Sequence, residues 1–204
     1  MSVNLVKGQK ISLTKTDGGL KKVMVGLGWD EAQQTAKGLK ALFAPKPQPI
    51  DCDASVILLG PNGKLVSPNL NENTVFFHNL RHSSGAIVHM GDNLTGGGDG
   101  DDEQIMIDLP GVPAYIDRLV FVVNIYDGTV RGQHFGMIRN AFIRIVDLNG
   151  NKEICRYSLT DDYAGMTGLI VGEIYRSAGE WKFNAVGQGV AEASRLDKLI
   201  NLYR

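Results

Sequence analysis

The sequence predicts an all-β fold in the form of a two-sheet β-sandwich. About ten short apolar or alternating runs recur along the chain, and glycine, asparagine, aspartate or proline turns separate them. One plainly helical stretch stands at the very end. With 204 residues, 43% of them hydrophobic, the chain is long enough to bury a real core. A single domain spanning residues 1–204 is the expectation.

Lys10-Ile11-Ser12-Leu13-Thr14 alternates apolar and polar, and Lys22 to Leu27 forms a second strand. The intervening Asp17-Gly18-Gly19 predicts that the two pair as a β-hairpin. Residues 31–44 have helical spacing (Ala32, Ala36, Leu39, Phe43), and Pro45, Pro47 and Pro49 then force extended chain. Residues 31–49 therefore read as a helical and proline-rich insertion on the sheet scaffold. Val56-Ile57-Leu58-Leu59 is an apolar strand entered through Asp51-Cys52-Asp53, whose two carboxylates share one side of extended chain.

Val75-Phe76-Phe77 and Ala86 to His89 are shorter strands, and Ile105 to Leu109 resumes the sheet. The near-continuous apolar run from Leu119 to Tyr126 predicts a central strand covered on both faces. Ala141 to Val146 meets Glu153 to Tyr157 across Asn149-Gly150, a hairpin signal, and Leu169 to Tyr175 with Trp181 to Val186 forms a last hairpin. Leu196, Leu199, Ile200 and Tyr203 fall on one face of a C-terminal helix.

Composition excludes several functional classes. A net charge of −1 gives no electrostatic footprint for nucleic acid. The N-terminus lacks a basic segment followed by an apolar one, and no apolar run approaches a membrane span. The two cysteines, Cys52 and Cys155, are far apart and make no metal spacing. A reduced cytoplasmic protein is the simplest reading, one that reaches a membrane only through a partner or an ion.

Residues 91–103 carry the chemistry. Asp92, Asp99, Asp101, Asp102 and Glu103 place five carboxylates within twelve residues, and Gly96, Gly97, Gly98 and Gly100 accompany them with no basic residue. In a compact loop, neighbouring carboxylates about 5–8 Å apart repel by about 0.5–0.8 kcal/mol per pair even in water. A hard cation taking six to eight oxygens relieves that repulsion, and the glycines let backbone carbonyls turn inward. Calcium suits such an irregular oxygen shell better than zinc or magnesium. The loop is not an EF-hand: counting from Asp92, Leu94 and Gly96 occupy ligand positions without a side-chain oxygen. The Gly97 to Asp102 stretch begins a calcium nonapeptide pattern but has no tandem copies.

An ordered series of motifs resembles the TerD family of tellurite-resistance and stress-response proteins. It comprises Val25-Gly26-Leu27-Gly28-Trp29-Asp30, Asp51-Cys52-Asp53-Ala54-Ser55, Gly91 to Gly96 with Gly100-Asp101-Asp102-Glu103, Phe142-Ile143-Arg144, and Gly179-Glu180-Trp181-Lys182-Phe183 with Ala185 to Gly189. The resemblance implies a bacterial, cytoplasmic, calcium-binding β-sandwich broadly similar in layout to C2 domains, holding one or two calcium ions. It further implies a role in resistance to tellurite and other chemical stress, phage or colicins. Its implied partners are other stress-resistance proteins, membrane-associated ones among them, and they would place it peripherally at the inner face of the membrane. Carried over by motif, the calcium ligands are the side chains of Asp92, Asp99, Asp101, Asp102 and Glu103, carbonyls of Asn93, Thr95 and Gly97, and the partner carboxylates Asp30, Asp51 and Asp53.

Other candidates carry less. His78 and His82 have helical zinc spacing on a segment that reads as strand and loop, and His89 reads as a core or edge histidine. Cys52 stands between carboxylates that disfavour its thiolate, which argues against direct tellurite reduction. No serine stands in a nucleophile elbow and neither cysteine has a histidine partner by motif, so no enzymatic activity is predicted. The alternative is a metal-dependent hydrolase acting on phosphoesters or nucleotides through Asp101, Asp102 and Glu103.

Overall fold

The computed structural model describes residues 2–14, 19–31, 48–91 and 100–204. Twelve strands run through them: β1 (Val3–Leu5), β2 (Lys10–Ser12), β3 (Lys22–Glu31), β4 (Cys52–Leu59), β5 (Thr74–Val75), β6 (Ile87–His89), β7 (Glu103–Asp108), β8 (Arg118–Ile125), β9 (Ile138–Asp147), β10 (Lys152–Ser158), β11 (Met166–Ser177) and β12 (Glu180–Ala191). They form two six-stranded sheets, the first in the order β1-β10-β9-β3-β7-β6 and the second in the order β2-β12-β11-β8-β4-β5. The predicted sandwich is the observed fold.

Strand alternation builds the core. Cys52, Ala54, Val56 and Leu58 of β4 join Val23, Val25 and Leu27 of β3 and Ile105 and Ile107 of β7 in one buried cluster between the sheets. The other face of the second sheet has its own cover. Ile57, Leu59, Val120, Val122 and Ile170 pack beneath Leu199 and Ile200 of the terminal helix α3 (Leu196–Ile200), the third helix after α1 (Leu70–Asn73) and α2 (Gly128–Arg131). This double cover explains why β8 reads as an almost unbroken apolar run. Trp29 and Trp181 both pack in the main core.

Both late hairpins form as predicted, β9 with β10 and β11 with β12. The early one does not: β2 pairs with β12 in the second sheet, whereas β3 lies between β7 and β9 in the first. Leu13 donates its N–H to the Trp181 carbonyl (2.8 Å) and Thr14 Oγ1 accepts from Trp181 N (3.0 Å), so the segment follows β12 across the sandwich. Alternation shows that each strand has one buried face; it does not choose the neighbour. β5 is shorter than expected, ending at Val75, and β4 starts earlier, at Cys52. Residues 32–47 of the predicted insertion lie outside the described residues. Among the described residues no helix is long and apolar enough to cross a membrane.

Candidate functional site

Three strand ends meet where the acidic residues lie: the end of β3, the beginning of β4 and the beginning of β7. Leu27 is in register with Glu103, which brings the Trp29-Asp30 end of β3 beside Asp102. Asp102 is tied to β3 twice, donating its N–H to the Leu27 carbonyl (2.8 Å) and accepting the Trp29 N–H on Oδ2 (2.7 Å). One carboxylate oxygen is thereby aimed by the backbone.

Glu103 begins the inward-facing series of β7 and is 2% exposed. At its opening residues β4 has no strand on one edge among the described residues, because β5 reaches only Val56 and Ile57. Side chains take over there. Glu103 Oε2 accepts the Ala54 N–H (2.9 Å), and His89 Nε2 lies 3.1 Å from the same oxygen and 3.2 Å from the Ala54 carbonyl. Gly91 N donates to His89 Nδ1 (3.2 Å), so the ring proton belongs on Nε2, which donates. Glu103 and His89 thus serve the Ala54 peptide as a missing strand would.

Asp101 is held differently. Its side chain is fully buried, and Arg144 of β9 grips it through Nε to Oδ1 (2.7 Å) and Nη2 to Oδ2 (2.9 Å), with Gln104 Nε2 adding a third contact (3.2 Å). The hydrogen bonds to Asp101 raise the Arg144 pKa above its ordinary value. The carboxylate lies over Gly26, where any side chain would collide with it. At Gly28 a side chain would meet the Gly100 carbonyl oxygen at 2.8 Å, so these two β3 glycines let the 100–102 segment lie flat on the sheet.

The remaining carboxylates diverge. Asp30 follows a register shift in β3 and accepts from Asn140 Nδ2 (2.8 Å), in the wall of a cavity of about 890 Å3. Asp51 and Asp53 line a second cavity of about 460 Å3, on the face of β4 opposite Ala54. Asp53, 6% exposed, accepts from Asn124 Nδ2 (3.2 Å). Glu31 Oε1 accepts the Ile50 N–H (2.7 Å) and pins the chain entering β4. Asp92, Asn93, Thr95, Gly97 and Asp99 lie outside the described residues. Among the described residues no three His, Cys, Asp or Glu side chains converge closely enough to hold a metal by themselves. The sandwich gathers these carboxylates at one end and points them to different faces.

Both cysteines are buried and free. Burial pushes the Cys52 thiol well up, with Asp53 and Asp51 adding to it, and burial pushes Cys155 up to about 12.

Comparison with known proteins decides the family. A model of the TerD domain matches residues 1–203. The chain belongs to the TerD family. It is 53% identical over 203 residues to stress response protein SCP2 of Bacillus subtilis (strain 168), covering 100% of each chain. It is 44% identical over 191 residues to the tellurium resistance protein TerD of Serratia marcescens, covering 94% of this chain and 92% of that one. A crystal structure of a TerD homologue from Streptomyces coelicolor A3(2) superposes with a TM-score of 0.60 at 23% identity, over 85% of this chain and 92% of that one. At that identity the likeness speaks for the fold alone.

Within this TerD domain, motif reading singled out the carboxylates and missed what positions them. His89 does touch the acidic segment, through Glu103, and Asn124 and Glu31 gave no sequence signal. Gly26 and Arg144 stood inside quoted motifs, yet their relation to Asp101 depends on strand register.

Proposed function

We propose that this TerD-family protein is a calcium-binding stress-response module that senses or scaffolds. Cation binding would order the acidic end of the sandwich, and the ordered face would engage other stress-resistance proteins, membrane-associated ones among them. The observation that carries the reading is the backbone aiming of Asp102 and Glu103 at adjacent positions, by Trp29 N and Ala54 N. The donor set fits a hard cation. Asp30, Asp102 and Glu103 offer carboxylate oxygens, and the Gly100 carbonyl occupies a cradle that any side chain at residue 28 would fill. Residues 92–99 would supply the rest of the shell, while Asp51 and Asp53, on the opposite face of β4, would stand apart from it. Calcium would supply charge neutralisation and ordering, and Asp101 would act chiefly as the post that anchors the segment to Arg144.

A calorimetric titration with calcium against magnesium tests this, with hydrogen exchange followed before and after EGTA. Calcium is expected to bind more tightly and to protect the amides of residues 91–103, and Asp102→Asn with Glu103→Gln to abolish both effects. Unchanged protection with and without calcium refutes the proposal. Calcium-dependent turnover of phosphoesters or nucleotides, lost in the same variant, would favour a hydrolase instead.

A further inference from the structure

The larger of the two cavities, about 890 Å3, is lined by the ends of β3 and β10, the beginning of β9 and the 159–164 segment. Its size is that of a pocket that takes a small organic molecule, for which about 300–1,000 Å3 is usual. Strand register assembles its lining. On β10, Cys155 and Tyr157 belong to the inner core, so Arg156 and Ser158 face outward. Phe142 of β9 is in register with Ser158, and Arg156 Cζ lies 3.9 Å from the centroid of its ring. Trp29 extends the apolar part of the lining, and Arg139 and Thr160 extend the polar part. Trp29 is 6% exposed, and its indole N–H has no hydrogen-bond partner among the described residues. A buried donor of this kind calls for an acceptor.

The charged groups of the lining are unequally met. Each carboxylate accepts a short hydrogen bond: Asp30 from Asn140 Nδ2 (2.8 Å), Asp161 from Lys7 Nζ (2.6 Å) and Asp162 from the Ala164 N–H (2.9 Å). The guanidiniums fare worse. Among the described residues Arg139 Nη1 finds the Gly136 and Ile138 carbonyls at 3.4 and 3.3 Å, and no carboxylate. Arg156 Nη2 reaches Glu153 Oε2 at 3.4 Å, and Arg144 Nη1 approaches the same oxygen at 3.3 Å. A guanidinium carries five N–H donors, so most of those on Arg139 and Arg156 are left for solvent or a ligand. Lys7 offsets Asp161, which leaves these two cations against Asp30 and Asp162. Net charge is therefore even, and the surplus of donors decides the ligand. A cation would share its carboxylates with Lys7, Asn140 and the Ala164 amide, whereas an oxyanion meets donors that have no strong acceptor. A phosphate ester, with three terminal oxygens, takes up two guanidiniums and the Ser158 and Thr160 hydroxyls more fully than the two oxygens of a carboxylate.

We propose that this cavity binds a small organic phosphate, its oxygens against Arg139 and Arg156 and its apolar body against Phe142 and Trp29. The proposal goes beyond the calcium reading. Asp30 and Gly100 line the same cavity, so the two are tested apart.

The full chain in EGTA is titrated with phenyl phosphate, with inorganic phosphate, phenylacetate and benzyl alcohol as controls, and followed by two-dimensional NMR. Trp181→Phe assigns the two indole N–H signals. A saturable shift of the Trp29 indole is expected while that of Trp181 stays in place, with phenyl phosphate binding about tenfold more tightly than any control. Arg139 is exposed and has no carboxylate partner among the described residues, so Arg139→Gln should keep the thermal midpoint and the calcium titration of the parent and weaken phenyl phosphate about tenfold. Arg139→Lys should fall between. Equal affinity for phenyl phosphate and any control overturns the proposal, as does an unmoved Trp29 indole or parent-like binding in Arg139→Gln. Phenyl phosphate binding that appears only with calcium would assign the anion to the metal and overturn it too. Loss of calcium binding with phosphate binding intact would sink only the calcium reading.

Discussion

Replacing Arg144 with Met should remove the clamp on Asp101 while keeping an unbranched apolar stem in its place. In the parent, the Asp101 carboxylate is fully buried and meets Arg144 through two charge-assisted hydrogen bonds, with Gln104 supplying a third contact. Stripping one partner from a buried ion pair costs about 3–5 kcal/mol, because the other charge is left without compensation. The Arg144 side chain is 25% exposed, so water reaches part of the vacated space, and about 2–3 kcal/mol is the appropriate expectation. Against a domain stability of about 5–15 kcal/mol that is a large loss. Urea unfolding in EGTA measures it free of any cation effect; with an m-value of about 2 kcal/mol/M the midpoint should fall by about 1–1.5 M. Arg144→Lys, which keeps the charge and loses the fork, should fall between. Adding Asp101→Asn to Arg144→Met should recover stability, since the stranded charge is gone, giving a coupling of about 1–3 kcal/mol. A midpoint for Arg144→Met indistinguishable from the parent would refute the reasoning.

Other consequences can be checked more briefly. Burial alone would raise the Glu153 pKa, but hydrogen bonds from Ser2 and Arg144, with Arg156 nearby, hold it below its ordinary 4.5. Its folded pKa is depressed, so its stabilisation is present above about 4.5 and lost as pH falls through the lower folded value; Glu153→Gln should lose less stability than the parent in that acid range, measured by urea unfolding at each pH. Both thiols are buried with raised pKa values, so neither Cys52 nor Cys155 should react with a thiol-specific dye in the native protein at about pH 8, and both should react in denaturant. Fast native labelling would reopen direct thiol chemistry. Leu199, on the inner face of α3, is fully buried, and Leu199→Ala should cost about 2–5 kcal/mol, seen as a lower thermal midpoint. A loss under about 0.5 kcal/mol would mean that the helix does not hold down the outer core.

The period of two along each strand made most of the fold legible in the sequence. It marked the inward face of β7, and the unbroken apolar run of β8 announced a strand covered twice. The partner of β2 was not legible, since Lys10–Ser12 offers the same alternation to either sheet and its place is set by backbone bonds to β12, far along the chain. The acidic motifs were legible as a cluster, and the distinct task of each member was not. Asp101 and Arg144 are 43 positions apart and meet only because Gly26 stands in register with Arg144 and has no side chain to fill the space above it.

The same periodicity explains why three consecutive acids take three different partners. Asp101 folds over Gly26 to meet Arg144, Asp102 turns to the Trp29 amide, and Glu103 points between the sheets to the Ala54 amide. Across Ala54, Asp53 faces away from Glu103 toward Asn124. A chain that needed only negative charge here could scatter carboxylates on a solvated loop at little cost. This one fixes each by backbone or side-chain hydrogen bonds, two of them with almost no exposed surface, and burying a carboxylate is unfavourable unless it is paired and hydrogen-bonded as these are. The burial and fixed orientation of Asp101 and Glu103 therefore set these two carboxylates apart from a scatter of surface charge, which is what the proposed cation-binding reading requires.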